Sequence, residues 1–381
     1  MKTVLMVALA LAGVSARAEV NTWYVDDDNY GKGGLDGKTE ETAYGTIQDA
    51  IDASEDGDTI LVLPGVYDKG EVLPSEYPDN GLCHKTRVAI SKSGLTIRST
   101  GGRDVTHIVG AYDPEAPADN YGAWSNSVVC VSVLSGHTTV TIDGFTLRDG
   151  ACYRPGLSGP NNNGGAIGYY QETPALADTV HVFDCVISNC VSRLGPANCC
   201  TLHRCLVAGN RALDKKGYGL AYGKAENTVF MDSENAAVLK SVLVNCIVTG
   251  SRVRASERAG AVCNTIYAFN AYDCDNYPSE GCPAFTNSVS TGQNCTDTSF
   301  IKSFNCELKA AETNLFVAPV LRDWRLVEGS CAIDRGDPNC LRDLISLPAG
   351  YEFRDYYGRK IDMTAAHIHA GVSQTVVTPA G

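Results

Sequence analysis

A short pattern of apolar and polar positions recurs through the middle of the chain. Each copy begins with a polar residue, continues with a small residue or a cysteine and two apolar residues, and ends in small residues. Successive copies are 20, 23, 18, 19 and 23 residues apart, a spacing that suits one turn of a solenoid of short strands. The copies begin at Asp184, Arg204, Asn227, Asn245, Asn264 and Asn287, and an earlier one begins at Gly144.

Superposing the copies predicts ladders of equivalent residues. Position one is rich in asparagine, which tolerates a left-handed backbone and can hydrogen-bond along a stack of bends. The cysteines at position two are more often small core residues than ligands or disulfides, and positions three and four form a buried apolar wall. The pattern therefore predicts an all-β fold, a single-stranded right-handed parallel β-helix. Position two holds Cys185, Cys205, Thr228, Cys246, Thr265 and Ser288.

The ends of such a solenoid need covers, because they expose apolar core and unpaired strand edges. Thr46 to Ser54 predicts a short amphipathic capping helix, with Thr46 as its N-cap and Ile47 and Ile51 on its apolar face. The segment from Asn314 to Asp337 is predicted to close the other end with Leu321, Trp324, Leu326 and Ile333.

The first residues have the layout of a secretory signal peptide. Lys2 gives a positive start, Val4 to Val14 is apolar, and Ala16-Arg17-Ala18 fits a cleavage site before Glu19. A buried N-terminal helix is the alternative. The predicted division is a signal peptide over 1–18, an N-terminal cap over 19–57, a β-helix over 58–312, a closing segment over 313–372 and a frayed tail over 373–381.

The predicted signal peptide leads us to expect the mature protein outside the cytoplasm. No later stretch is long and apolar enough to span a bilayer, so we expect a secreted, periplasmic or cell-surface monomer without a transmembrane segment. The 16 cysteines then predict several disulfides, although sequence alone does not fix their connectivity. Their spacings do not match zinc sites, and no metal is predicted. The candidate disulfides are Cys274 with Cys282, Cys295 with Cys306 and Cys331 with Cys340.

Charge is unevenly distributed along the chain. Residues 19–147 carry a net charge of −13, residues 148–258 carry +3, and residues 259–381 carry −5. A basic centre between acidic ends favours an anionic partner for that centre. Nucleic acid is not expected, because the whole molecule would repel phosphate and the protein is predicted to be exported.

Two groups of motifs resemble a known family. The first group consists of Trp23-Tyr24-Val25-Asp26, Thr46 to Ile51 and Gly57 to Tyr67. The second group runs from Asp323 to Asp337. They resemble the N-terminal cap and the closing segment of exported bacterial right-handed β-helix proteins of the pectin-lyase-like superfamily. This resemblance implies the fold, and it leaves open a polysaccharide lyase, a glycoside hydrolase or a non-catalytic adhesin.

The repeat register groups the candidate binding residues. Arg211 and Arg252 fall at one position after the repeat core, and Arg254 falls two residues later. The other members of this basic and aromatic set lie on neighbouring segments. A solvated surface is the plain interpretation, and a polysaccharide-binding stripe or a lyase site are the alternatives. The predicted binding residues are Arg154, Arg211, Lys215, Lys216, Tyr218, Tyr222, Arg252 and Arg254.

A uronate lyase needs a cation for the substrate carboxylate and a base for the neighbouring proton. Lysine and arginine can serve both needs, and Lys215 or Arg211 is the first candidate for such a site. No catalytic residue is assigned and no cofactor is identified. We therefore expect a protein that engages an acidic extracellular polysaccharide, with a non-catalytic surface or adhesion protein as the alternative.

Other constellations are weaker. The acidic run from Asp26 to Asn29 with Asp36 lacks the glutamate of an EF-hand loop and is interpreted as turn chemistry. Asp232 and Glu234 would share one face of an extended strand, as exposed polar residues also do. His203 shares the register of Phe183 and Val244 and is predicted to be inward or partly buried. The histidines His367 and His369 lack an evident third metal ligand.

Overall fold

The computed structural model describes most of the chain from residue 20 onward. The described residues are 20–72, 85–111, 126–131, 139–152, 164–169, 177–192, 194–212, 218–234, 236–252, 254–257, 260–268, 270, 284–286, 288–290, 315–318, 321–330, 332–334 and 336–377. Within these ranges, no helix is long and apolar enough to cross a bilayer.

Short strands stack into three long parallel sheets, A, B and C, and a small parallel sheet D. Sheet A contains Thr22–Val25, Thr59–Val62, Thr96–Ser99, Val140–Asp143, Val180–Phe183, Thr201–His203, Lys224–Glu226, Val242–Val244, Ala261–Cys263 and Ala284–Thr286. Sheet B contains Gly65–Tyr67, Thr106–Val109, Thr146–Arg148, Val186–Ser188, Leu206–Ala208, Val229–Met231, Ile247–Thr249, Ile266–Ala268 and Val289–Ser290. Sheet C contains Lys85–Ile90, Asn126–Val131, Ile167–Tyr169, Ala197–Asn198, Leu220–Ala221, Ala236–Leu239 and Arg254–Glu257, and sheet D contains Ala151–Cys152, Val191–Ser192 and Arg211–Ala212.

The chain visits the sheets in a fixed order. A turn runs from sheet A through sheets B and C and returns to sheet A one strand further along, and three of the described turns also pass through sheet D between sheets B and C. Every strand pair in these four sheets is parallel within the described residues. The protein is therefore a right-handed parallel β-helix, as the repeat predicted.

The predicted ladder register is confirmed. Glu226 pairs with Val244, and Val244 pairs with Cys263, so the asparagines that follow them occupy equivalent places in successive turns. The backbone N–H of Cys205 donates to the Thr228 hydroxyl of the next turn at 3.2 Å, and position two thus links neighbouring turns. The described position-two residues are buried.

From Asp184 to Lys240, each turn bends at three corners through residues with a left-handed backbone. At the corner between sheets A and B these are Asp184, Arg204, Asn227, Asn245 and Asn264, with φ between 48° and 55°. Cys199, Tyr222 and Lys240 occupy the corner from sheet C to sheet A. Asp149, Asn189 and Asp232 occupy the corner after sheet B, where Gly209 and Gly250 take the same place in other turns. The strands can stack because successive turns bend at equivalent positions.

The N-terminal cap has the predicted helix. Helix α1, Ile47–Ala53, begins after Thr46, whose hydroxyl accepts a hydrogen bond from the Asp49 backbone N–H at 3.1 Å. Ile47 and Ile51 are buried in the main core cluster, which continues through the solenoid to Tyr267. The preceding loop includes the 3₁₀-helix Asp27–Asn29. Its acidic side chains stabilise turns by accepting backbone hydrogen bonds. The Asp26 side chain accepts from the Asp28 backbone N–H at 3.1 Å.

The C-terminal segment, residues 321–377, lies along the flank of the solenoid. Trp324 and Leu326 pack against the outward-facing residues of sheet B, including Val229 and Ile247, whereas Leu321 is 81 % exposed. This segment contains helix α2, Pro338–Leu344, and it contributes to a fifth sheet, E, whose strands are Phe316–Ala318, Asp323–Val327 and Val376–Val377.

The pairing of Val376–Val377 with Leu326–Val327 corrects the prediction of a frayed tail over residues 373–377. These residues are held because their backbone groups complete sheet E. The remaining domain boundaries stay predictions, including the signal peptide. Trp324 and Leu326, which were predicted to cover the open end of the solenoid, instead pack on the flank of sheet B.

The asparagine corner generates a test of backbone strain. Asn245 is fully buried with φ 54°, and its amide donates to the Asn227 side chain at 3.4 Å. We expect Asn245→Gly and Asn245→Ala both to lower the free energy of unfolding. The alanine variant should lose about 1 kcal/mol more, because Cβ strains the left-handed backbone. Urea unfolding measures the difference, and an alanine variant as stable as the glycine variant would contradict the corner assignment.

Candidate functional site

The described members of the predicted binding set lie on one side of the β-helix, the C–D wall, which we define as the outer surface of sheets C and D and their connections. Arg211 enters this wall in sheet D, where it pairs with Val191. Tyr218 and Tyr222 flank the sheet C strand of the same turn, and Arg254 begins a sheet C strand two turns later. The described members of the predicted set therefore share one side of the solenoid.

Two exposed arginines occupy one column of this wall. Ala208, Met231 and Thr249 are paired in successive turns, and the residues three places later are Arg211, Glu234 and Arg252. Arg211 and Arg252 thus lie two turns apart, about 10 Å along the axis. Both side chains are exposed, and Glu234 occupies the column between them.

The two tyrosines have different environments. Tyr218 is 5 % exposed, and its hydroxyl donates to a Glu257 carboxylate oxygen at 2.6 Å, so its ring does not offer an open face for a sugar. Tyr222 is half-buried at the corner leading to sheet A. The Lys240 ammonium of the next turn lies 5.6 Å from its ring centroid, which places a cation and an aromatic ring together.

The remaining predicted binding residues are less completely described. Arg154, Lys215 and Lys216 lie outside the described residues, and for Arg254 the structure describes the backbone position in sheet C. Lys215 and Lys216 belong to the segment that connects Arg211 to Tyr218 in sequence.

The structure also describes the weaker candidate sites, the carboxylate pair and the two C-terminal histidines. Asp232 lies at a corner with φ 55°, so Asp232 and Glu234 do not share an extended strand, and the premise of a carboxylate pair on one strand face is wrong. The Nδ1 atom of His369 lies 3.2 Å from the Asp334 carboxylate, whereas His367 is exposed.

The sequence interpretation missed a buried polar chain on the outer face of sheet A. His203 pairs with Phe183 and Glu226 in successive strands, and all three are fully buried. Because the neighbouring Leu202 points into the main core, His203 points outward. It is buried as predicted, but it lies on the outer side of the wall.

Three hydrogen bonds join this chain. His181 Nε2 lies 3.1 Å from the Asp178 carbonyl oxygen, and His181 Nδ1 lies 2.8 Å from His203 Nε2. His203 Nδ1 lies 3.0 Å from Glu226 Oε1. The Asn227 amide donates to the other oxygen of Glu226.

The donor and acceptor rules assign the protons. A carbonyl oxygen only accepts, so a neutral His181 carries its proton on Nε2 and accepts at Nδ1. His203 then donates from Nε2 and accepts at Nδ1, which requires a proton on Glu226 Oε1. A protonated Glu226 therefore satisfies the whole chain without a buried charge.

The pKa directions agree with this assignment. Burial raises the pKa of Glu226 to about 8 and lowers the pKa of His181 to about 4. Burial also lowers the pKa of His203 well below its usual value. All three groups are thereby favoured in their neutral forms near pH 7.

The C-terminal segment covers the same face of sheet A. The Tyr351 ring stacks on Phe183 with centroids 4.1 Å apart, and its hydroxyl accepts from Arg98 at 2.7 Å. Farther along the axis, Leu341 and Ile345 pack on Val244 and Cys263. Sheet A therefore presents a covered outer face at these turns, and its histidines do not form an open site there.

Comparisons with known proteins give fold likenesses at low identity. The chain is similar to pectate lyase Pel9A, with 13% identity over 94% of this chain and 98% of that one and a TM-score of 0.47. It is also similar to a rhamnogalacturonan lyase, with 11% identity over 71% and 68% of the chains and a TM-score of 0.32. A pectin methylesterase solved with a hexasaccharide has 12% identity over 72% and 71% and a TM-score of 0.29. No protein-family model and no curated protein sequence matches the chain.

The uncharged hydrogen-bond chain of His181, His203 and Glu226 leads to a prediction about the pH dependence of stability. The pKa of Glu226 rises from an ordinary 4.5 to about 8, so between these values the folded protein binds a proton that the unfolded chain releases. This contribution to stability is complete below pH 4.5 and is lost as the pH rises through about 8. Glu226→Gln can donate to His203 and accept from Asn227 without titrating. We expect it to flatten the fall in melting temperature between about pH 5 and pH 9.

Thermal unfolding across that pH range measures the effect, and the control is Glu328→Gln, the same side-chain change at an exposed position outside the buried hydrogen-bond chain. We expect the control to follow the wild-type profile. An alkaline decline in Glu226→Gln equal to that of the wild type would show that Glu226 is not the protonated end of the chain.

Proposed function

We propose that the protein is exported and binds an acidic extracellular polysaccharide along the C–D wall. The observation that carries this proposal is the column with exposed Arg211 and Arg252 two turns apart. Planar guanidinium groups bind carboxylates through paired, charge-assisted hydrogen bonds. A repeating anionic polymer can meet both groups in succession because the wall itself repeats.

The arrangement of the other outer faces supports this choice of wall. The C-terminal segment packs on the outward residues of sheet B at Val229 and Ile247, and on sheet A at Val244 and Cys263. The C–D wall, by contrast, carries the described arginine column of Arg211 and Arg252. We therefore place the polymer on the C–D wall.

A role for the aromatic residues follows from their environments. Tyr222 and Lys240 combine a ring with a cation at the corner of the wall, where a sugar ring and its carboxylate could both be contacted. Tyr218 has a supporting role in this proposal, since its hydroxyl bonds Glu257 and its ring packs with Ala221 and Leu239.

Lyase activity is a separate question from binding. β-Elimination on a uronate needs a base beside the acidic proton, and Arg211 and Lys215 are the candidates predicted from the sequence. Ultraviolet absorbance of the unsaturated product, measured on a panel of uronate polymers, distinguishes the two functions. An increase that is abolished in Arg211→Gln or Lys215→Gln would assign a lyase, whereas no increase with any polymer favours the adhesion alternative.

The binding proposal predicts the behaviour of a double variant. Replacing Arg211 and Arg252 by glutamine should weaken binding to polygalacturonate at least about tenfold, because two charged hydrogen-bonding groups are removed. Affinity electrophoresis in gels that contain the polymer measures retention. Raising the salt concentration should weaken the wild type in the same direction, because exposed charges are screened.

The matched control removes two positive charges elsewhere, at Lys69 and Lys360, which are exposed and pair with Asp68 and Glu352. We expect Lys69→Gln with Lys360→Gln to bind as the wild type does. Equal losses in the two double variants would indicate a net-charge effect, and unchanged retention in the arginine variant would remove the C–D wall from consideration.

A further inference from the structure

Two cysteines meet where the C-terminal segment packs on the solenoid. Cys263 ends the sheet A strand Ala261–Cys263, and Cys340 lies in helix α2. Both belong to an apolar cluster that also contains Val244, Leu341 and Ile345. The two residues are 77 positions apart in sequence, and their thiols form a hydrogen bond with each other.

Hydrogen bonds next to the thiols fix this contact. The Asp337 backbone N–H donates to the Asn264 side-chain oxygen at 2.9 Å, and the Asn264 amide donates to the Asp337 carbonyl at 2.9 Å. Asn264 directly follows Cys263, and Asp337 caps the helix that carries Cys340. The Cys340 backbone N–H bonds the Asp337 carbonyl at 3.1 Å. The backbone on either side of the thiols is therefore held in place.

We propose that Cys263 and Cys340 form an oxidation site whose disulfide fastens the C-terminal segment to the β-helix. Hydrogen-bonded thiols need a small approach to reach a sulfur–sulfur bond of about 2 Å. The oxidising environment expected for an exported protein favours such a bond. This pairing differs from the pairing of Cys331 with Cys340 predicted from sequence spacing, in which Cys331 lies outside the described residues.

The proposed oxidant is a small-molecule disulfide such as oxidised glutathione. The Cys340 thiol, which is more exposed than Cys263, loses its proton and attacks one sulfur of that disulfide, releasing one thiolate. The Cys263 thiolate then attacks the Cys340 sulfur of the mixed disulfide and releases the second thiolate. Two protein thiols are oxidised, one disulfide is reduced to two thiols, and the two protons pass to the released thiolates.

The reaction in the folded protein should depend on pH. Its hydrogen bond with Cys263, together with burial, raises the pKa of the Cys340 thiol. The thiolate is the attacking form, so exchange should accelerate as the pH rises.

The test uses the full protein, reduced and then incubated with oxidised glutathione at pH 7 and pH 9. Exposed thiols are blocked, the protein is digested without reduction, and peptides are identified by mass spectrometry. We expect a linked peptide pair containing Cys263 and Cys340, which forms faster at pH 9. Recovery of Cys340 linked to Cys331 or another cysteine, or alkylated in all samples, would overturn the proposal.

Single variants provide a matched comparison. Cys340→Ser and Cys263→Ser should each abolish the linked pair, whereas Cys331→Ser should leave it intact. Cys340 is only partly buried, so we expect its serine variant to fold, and thermal unfolding verifies this. The oxidised wild type should melt about 5 °C above oxidised Cys340→Ser, because the link closes a long loop. Equal melting temperatures would show that the segment is not fastened by this pair.

Discussion

The structure depends on one constraint, which is that successive turns bend at equivalent positions. A left-handed residue with a side chain costs about 1–2 kcal/mol relative to ordinary backbone, and the described turns place several such residues in register. Burial in the stack and hydrogen bonds along it offset this cost. When the bends stay aligned, the strands pair without slippage and each outward column acquires a defined composition. Both the arginine column and the buried histidine chain follow from that alignment.

The repeat allowed the main register to be predicted because every turn repeats the same local requirement. Asparagine at the corner between sheets A and B indicates a left-handed backbone, because asparagine tolerates that conformation. The corner from sheet C to sheet A was missed, since Cys199, Tyr222 and Lys240 share no side-chain chemistry and only their backbone angles are alike. The position of the C-terminal segment was missed for a related reason. It does not repeat, so its partners on sheets A and B leave no periodic signal in its own sequence.

Whether the chemistry of a column repeats also explains why the arginine column could be predicted and the buried histidine chain could not. Arg211 and Arg252 could be placed in one column by counting from the repeat. Counting also places Glu234 between them, which changes the charge pattern that a polymer would meet. His203 could be placed next to Phe183 and Val244, yet its neighbours range from aromatic to acidic to aliphatic. A column of chemically different residues does not indicate that they will be buried. Burial is what favours the neutral form of Glu226.

The C-terminal segment also changes how the solenoid holds together. In a simple repeat protein each turn contacts its neighbours, and stability is close to a sum of local terms. Here helix α2 contacts the turn of Cys263, while Tyr351 reaches back to Phe183 and Arg98. From helix α2 to Tyr351 the segment therefore runs against the direction of the solenoid and joins turns that do not otherwise touch. Opening one of these turns would also expose the apolar and neutral polar groups beneath the segment, so the turns from Arg98 to Cys263 should unfold as one cooperative unit.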